Sequence, residues 1–462
     1  MYQIDFQNPL PIHFIGIGGI SMSGLAEVLL HAGFPVSGSD AQGSSLTDHL
    51  ESLGARIFIG QRAENIDRHV GLVIYTAAIR EDNPELAAAR DQKIPLLTRA
   101  ELLGEIMANY PRSLAVAGTH GKTSTTSMLS HILLEAGLDP TISVGGILPA
   151  IGGNIRIGGP QVFLTEACEY KNSFLSLAPE IGIILNVDAD HLDFFKDLDD
   201  IAASFRKFAE RIPTEGTLVI GTKTSHLPMI TEGLSCRLLT FGPGGDFDAE
   251  DVAFDKCGCA AFTLLVSGTA NGRIRLRVPG AHNVQNALAA AAAACALGIG
   301  LDPVIAGLAA YEGVDRRFQW KGTFRGADVF DDYAHHPTEI KATLSAAKMR
   351  PSGALWVIFQ PHTYTRTKAL LPEFAEALAP AGHVILADIY AAREKDDLGI
   401  SSRTLRDAVA ALGTDARYFP SFGEIRDFLA ASVRPGDTIL TVGAGNITAL
   451  SDLLVKDDPS AD

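Results

Sequence analysis

Short runs of Val, Ile, Leu and Ala alternate along this chain with longer stretches whose apolar residues recur every three or four positions. That rhythm predicts buried strands followed by helices. The first pair is the run at 12–15 and a helix over 22–31. Further strands are expected to end at Asp40 and to fall at 56–59, 72–76 and 95–97. A second series opens with the apolar run 113–117. After a Gly-rich turn, Met128, Leu129, Ile132 and Leu133 keep helical spacing, and Gly137 supplies the stop. Strands at 162–165, 181–186 and 217–220, hairpins over 246–277 and an Ala-rich helix after Gly280 continue this series. A third series follows Arg316-Arg317-Phe318, with strands at 328–331, 355–359, 384–387 and 438–441 and helices between them. Pro111 marks a linker between the first two. The alternation of strands and helices indicates an α/β chain with tight turns between them.

Composition narrows the class. The 462 residues leave room for three domains, or two large ones, and 47% hydrophobic content is ample for their cores. A net charge of −16 argues against a general nucleic-acid or anionic-membrane partner. No signal peptide and no membrane-length apolar run stand out, and five scattered cysteines fit a reducing cytoplasm. Cys257-Gly-Cys259 has no second pair nearby and reads as a strand or turn rather than a metal site.

The chemistry concentrates at strand ends. Gly118-Thr119-His120-Gly121-Lys122-Thr123-Ser124 lies between a strand and a helix, where backbone N–H groups and the helix dipole converge on an anion. Gly118 and Gly121 allow close backbone approach, Lys122 reaches phosphate oxygens, and the Thr123 hydroxyl can ligate Mg²⁺. The first glycine of the longer P-loop pattern is missing here. Read alone, Gly-Lys-Thr is also open to a helix cap with an exposed lysine; the strand–helix setting favours phosphate. Gly16, Gly18 and Gly19 open a dinucleotide-type fold with Asp40 one βαβ step on, but Ser21 replaces the third fingerprint glycine. That loop is compatible with NAD, with another pyrophosphate ligand, or with a tight turn alone. Glu166 and the Asp188–Asp193 stretch sit at strand ends and can hold Mg²⁺, although His191 alone reads as a core histidine. His282 and Asn286, four apart at a helix start, can meet a base edge. Asp331-Asp332-Tyr333-Ala-His335-His336, the 360–367 stretch with His362 and Arg366, and Tyr390-Ala-Ala-Arg393-Glu-Lys395 all follow strands. The paired histidines lack a third ligand at zinc spacing, so substrate contact or structural hydrogen bonding is the expectation.

Taken together, these motifs resemble the Mur ligases of peptidoglycan synthesis over essentially the whole chain. The likeness rests on the order of His13-Phe-Ile-Gly-Ile-Gly-Gly-Ile, Gly118-Thr-His-Gly-Lys-Thr, Ala189-Asp-His-Leu-Asp, Gly280-x-His-Asn-x-x-Asn, Arg316-Arg-Phe, Asp332-Tyr-Ala-His-His-Pro-Thr-Glu and Phe359-Gln-Pro-His-Thr-Tyr-Thr-Arg-Thr. The resemblance implies an N-terminal Rossmann-like domain for a UDP-sugar (1–108), a central P-loop ATPase domain (109–318) and a C-terminal Rossmann-like domain for an amino acid (319–462). It implies an ATP-dependent ligase that joins L-alanine to the muramoyl carboxylate of UDP-N-acetylmuramate through an acyl phosphate, in the cytoplasm, as a monomer or homodimer. Gly16, Gly18, Gly19, Ser21 and Asp40 would serve the diphosphate side, with Thr76 and Asn83 near the uridine. The loop from Gly118 to Ser124 would hold ATP; Thr123, Glu166 and His191 would hold Mg²⁺, reversing the bland reading of His191. His282, Asn283 and Asn286 would lie at adenine, with Arg317 and Asp332 at the γ-phosphate and ribose. Tyr333, His335, His362 and Arg366 would frame the alanine, and Lys122, Glu166, His191, His335 and Arg366 would carry the chemistry, His335 as the candidate base.

Two positions depart from the family. Ser21 stands for a glycine, and Thr363 stands where some members have arginine, which leaves more of the alanine carboxylate to Arg366. Phe205 occupies the place of the carbamoylated lysine of the later-acting ligases, which fits the alanine-adding branch. Rival readings are a peptide-adding Mur ligase, a nucleotide-binding regulator, or an NAD-linked UDP-sugar dehydrogenase. The last leaves Lys122, Glu166 and His191 without a task.

Overall fold

The computed structural model describes residues 3–76, 79–350, 353–392 and 394–457. Arg393, of the motif after Tyr390, and the two alanines after Thr76 lie outside the described residues.

Three sheets follow one another along the chain. The first has five parallel strands in the order Arg56–Ile59, Val36–Asp40, Ile12–Ile15, Leu72–Tyr75, Leu96–Thr98. Strand order reverses at Ile12–Ile15, so the Gly16–Gly19 turn opens at the crevice where such sheets receive ligands. The second sheet has ten strands, with the P-loop strand Arg112–Ala117 between Val162–Glu166 and Ile181–Ile184. Its far edge is the antiparallel meander Phe247–Phe254, Cys259–Val266, Thr269–Pro279, as the hairpin pattern predicts. The third sheet runs in the order Gln319–Phe324, Ala327–Asp332, Thr438–Val442, Leu355–Phe359, His383–Leu386, Asp415–Tyr418. Its core strands are parallel, but Gln319–Phe324 pairs antiparallel at one edge. Neither that strand nor Asp415–Tyr418 stands out in the sequence, because each carries charged or partly exposed residues in place of an apolar run.

Core packing decides which joints are stiff. One continuous apolar cluster runs from Ile12 and Phe14 of the first sheet to Ala115, Phe163 and Phe205 of the second. The buried members of the two C-terminal clusters, by contrast, all lie beyond Gln319. The first two units therefore share a core, whereas the third meets the second largely through polar groups. Polar joints of that kind permit domain motion.

The P-loop helix, Lys122–Glu135, starts two residues earlier than its apolar periodicity suggests. It is wedged between the helix His282–Ala296, whose Ala287 and Ala289 to Ala294 are fully buried, and the helix Leu301–Ala310. Gly307 of that last helix lies so close that a Cβ there would stand 2.6 Å from the Ile132 Cα. Small side chains thus let backbones set the helix spacing. Among the described residues no helix is long and apolar enough to cross a membrane.

Candidate active site

The site grows out of two neighbouring strand ends. Past Ala117 the chain turns through Gly118 (φ +139°) and Gly121 (φ +85°) into the P-loop helix. At Gly121 a Cβ would come 2.6 Å from Asn286 Oδ1, so glycine is required there by space as well as by φ. Lys122 Nζ donates to the Gly118 carbonyl (2.5 Å) and the Thr119 carbonyl (3.1 Å), and it pairs with Glu169 at 2.9 Å. Beside it, the strand Ile181–Ile184 leads into Asn186, whose Oδ1 accepts the His120 N–H at 2.9 Å.

A cavity of about 620 Å³ opens on this loop. It is lined by His120, Gly121, Ser124, Asn283, Asn286, Arg317 and Asp332, among others, and so gathers most of the residues expected at ATP. His282 is exposed to the cavity, and desolvation by the surrounding cleft, with the charge of Arg317 adding to it, pushes the imidazole down to about 4. Burial also lifts Asp332 to about 6, against the opposing charge of Arg317 and N–H donation from Ala334 and Phe318. Asn286 Nδ2 donates to Asn283 Oδ1, and Asn283 Nδ2 to the Pro279 carbonyl. Arg316 and Phe318 both take positive φ. Arg316 is bound into the third unit by Asp331 and the Gly443 and Gly445 carbonyls, which leaves its neighbour Arg317 as the guanidinium on the cavity wall.

A second cavity, about 710 Å³, holds Tyr333, His335, His362, Thr363 and Arg366 together with Asp190 and His191. Arg366 donates to Asp190 Oδ1 from both Nε (3.2 Å) and Nη2 (3.0 Å), a contact between the second and third units. With Arg366, His191 and two further histidines around it, the Asp190 carboxyl is held far below its usual range despite its burial. His335 is pushed down to about 4, mainly by burial. Its Nδ1 faces the Tyr333 carbonyl (3.1 Å) and Glu339 (3.4 Å), both acceptors, so Nδ1 carries the proton and Nε2 the lone pair. The segment Asp188–His191 separates the two cavities, Asp188 on the nucleotide side and Ala189 to His191 on the other.

A third, smaller cleft of about 160 Å³ lies between the first two units and brings Ser21 onto the same wall as Glu166 and Arg99. Glu166 Oε1 accepts the Gly145 N–H at 2.6 Å. Other residues expected at the UDP-sugar serve the backbone here. Asp40 Oδ2 accepts the Gly18 N–H at 2.9 Å and closes the first glycine loop. Asn83 caps the helix Pro84–Asp91 and donates to Gln61, while the Thr76 methyl packs near Gly16.

Sequence comparison accounts for this layout. Consecutive stretches match the profiles of the Mur ligase family catalytic domain (residues 11–111), the Mur ligase middle domain (116–294) and the Mur ligase glutamate ligase domain (316–445). The chain belongs to the Mur ligase family. The UDP-N-acetylmuramate–L-alanine ligase of Lachnospira eligens is 52% identical over 459 residues, covering 99% of this chain and 100% of its own. That of Acetivibrio thermocellus is 50% identical over 449 residues, 96% of each. Among solved structures, the UDP-N-acetylmuramate-alanine ligase of Thermotoga maritima superposes with TM-score 0.79 at 31% identity, covering 97% of this chain and 98% of its own. A murein peptide ligase of Psychrobacter arcticus gives 0.71 at 26%, covering 97% and 98%.

Against the Mur ligase expectations, one grouping differs. Glu166 and His191 do not meet: His191 Nε2 lies 3.8 Å from Glu169 and 3.7 Å from Asp190, and its ring packs on Tyr170. Asp188 and Asp190 were legible only within a stretch read as able to hold Mg²⁺, and neither they, Glu169 nor Glu339 received an individual site role. Glu339 was legible only as part of the Asp332–Glu339 motif, and Glu169 only as the second acid of Glu166-Ala-Cys-Glu169.

Proposed function

We propose that this Mur ligase uses ATP to join L-alanine to the muramoyl carboxylate of UDP-N-acetylmuramate. The supporting observation is that the P-loop cavity and the Tyr333–His362–Arg366 cavity meet across the four-residue wall Asp188–His191. A phosphoryl group activated on one side is thus within reach of an amine held on the other. Full-length similarity to alanine-adding ligases supports the choice of amino acid.

In this reading the loop Gly118–Ser124 seats the triphosphate, with Lys122 leaving Glu169 to meet the β and γ oxygens. Asn283, Asn286 and neutral His282, able to donate and accept, serve adenine, while Arg317 and Asp332 serve the γ-phosphate and ribose. The muramoyl carboxylate attacks the γ-phosphorus, giving an acyl phosphate and ADP. The alanine amine then adds to the acyl carbon, and the tetrahedral intermediate collapses to the amide by expelling phosphate. Arg366 holds the alanine carboxylate. His335 Nε2, unprotonated at neutral pH, takes the amine proton.

The donor chemistry fits Mg²⁺. The Thr123 methyl and the Glu166 carboxylate both abut the Gly145–Gly146 pair, so these two side chains lie near each other, and their hydroxyl and carboxylate are hard oxygen donors. His191 would complete a second position, with Glu169 as its nearest carboxylate. The ion would neutralise charge between two anionic reactants. The domain boundaries 1–108, 109–318 and 319–462, cytoplasmic residence and a monomeric or dimeric state belong to the same proposal.

The test is phosphate release from ATP with Mg²⁺ and UDP-N-acetylmuramate, with and without L-alanine. One amide per phosphate, dependent on both substrates, is expected. Release that ignores L-alanine but responds to a tripeptide would overturn the amino-acid assignment, and no release under any combination would overturn the ligase reading.

A further inference from the structure

Glu339 occupies a position that none of the assigned roles explains. It lies in the first turn of the helix Pro337–Met349, in a capping box with His336. Its Oε2 accepts the backbone N–H of His335 (3.0 Å) and of His336 (3.4 Å), which fixes the carboxylate against its own helix start. The side chain is only 13% exposed, and its two oxygens meet residues that line different cavities. Oε1 lies 3.4 Å from Nδ1 of His120, inside the phosphate loop, and 4.0 Å from Arg317. Oε2 lies 3.4 Å from Nδ1 of His335, in the amino-acid cavity.

We propose that Glu339 is a positioning residue that ties the phosphate loop to the amino-acid cavity, one carboxylate oxygen beside a histidine of each. The proposal rests on the ATP-driven amide-forming reading above. Around it the same joint is braced by polar contacts from the segment between the cavities. His120 Nε2 meets Asp188 at 3.2 Å, Thr338 Oγ1 donates to Asp188 at 2.7 Å, and His336 Nε2 meets the Ala189 carbonyl at 3.0 Å. Among the described residues the third unit shares no continuous apolar core with the second, so these groups set its seat. A shift of His120 when phosphate fills the loop acts on Glu339, and through a rigid helix start on His335. The bistable element is the docking of the third unit, biased by both ligands. Its chemical purpose is timing: the acyl phosphate forms when the amine site is assembled, and water is kept out.

The experiment follows phosphate and amide in parallel in the full-length protein with ATP, Mg²⁺ and UDP-N-acetylmuramate, across a range of L-alanine. The variants are Glu339→Gln, His120→Asn and the two combined. Glutamine keeps an acceptor for both backbone N–H groups, so the helix start survives and only the charge is lost. In Glu339→Gln the KM for L-alanine is expected to rise about tenfold, a typical coupling between two sites, with phosphate released in excess of amide. His120→Asn should give the same excess independently, and the double variant should be no worse than either single one. Unchanged alanine KM with one-to-one stoichiometry in Glu339→Gln overturns the proposal while leaving the reaction intact. Multiplying effects in the double variant overturn it too, as does complete loss of phosphate release in Glu339→Gln, which would place the residue in phosphoryl transfer itself. A wild-type protein that makes no amide overturns the reaction reading and the proposal with it.

Discussion

Lys122→Met removes two things at once, and the structure shows how to separate them. The ammonium is the partner of Glu169, whose side chain is 3% exposed against 17% for the lysine. Deleting it leaves a buried carboxylate whose remaining ion-pair partner among the described residues is His191, at 3.8 Å. Breaking such a pair costs about 3–5 kcal/mol, or roughly 6–20 °C in melting temperature at the 2–4 °C per kcal/mol of a unit this size. Loss of the charge on the phosphates should add about 2–4 kcal/mol to the barrier, a fall of roughly 30- to 1000-fold in kcat. The companion change Glu169→Gln cancels the first effect and not the second. Melting curves and phosphate release are therefore measured on Lys122→Met and on Lys122→Met/Glu169→Gln. Melting temperature should recover in the double variant while turnover stays down. Turnover that recovers with stability would refute the reasoning, because the lysine would then serve only to neutralise Glu169.

Gly121→Ala combines a left-handed φ with a Cβ contact of 2.6 Å to Asn286 Oδ1. A strain of about 1–2 kcal/mol is expected, felt mainly as weaker binding of an ATP analogue by calorimetry. pH acts on the joint between the second and third units through His120, faced by Asp188, Glu339 and the ring of His336. The two carboxylates overcome burial and raise His120 to about 9. Its contribution is full below about 6.5 and is lost as pH rises through about 9, so small-angle scattering with an ATP analogue and UDP-N-acetylmuramate should show expansion there. Asp188 and Asp190, held far below the carboxylate range, contribute fully above about 4, so the joint should stay compact through mild acid.

The sequence carried the local part of this architecture well. Gly118–Thr123 was legible because a phosphate loop is built from consecutive residues between a strand and a helix. The same holds for the antiparallel meander before Gly280. Contacts that join distant segments were not legible. Asp190 and Arg366 are 176 positions apart and Asp188 and Thr338 are 150, and no periodicity reports their meeting. Local spacing also misled in places. Asn83 and Asp40 look like ligand groups, yet each already accepts backbone N–H groups, Asn83 from a helix start and Asp40 from Gly18 and Ala41. Glu166 and His191, both expected at Mg²⁺, have different neighbours here, the Gly145 N–H for one and Glu169 at 3.8 Å for the other.

The alanine wall behind the phosphate loop bears on how this enzyme can change over generations. Ala289 to Ala294 are fully buried around their helix and Gly307 lies against the Ile132 backbone, so larger side chains there would overpack the supports of the helix that begins at Lys122. Inherited variation is thus steered away from the nucleotide grip. The third unit keeps its own cores and touches its neighbour through polar side chains, so it can exchange residues around the amino-acid cavity without unsettling that grip. A single ancestral phosphate engine could in this way be fitted with different acceptor modules, and new acceptor preferences are best sought among substitutions beyond Gln319.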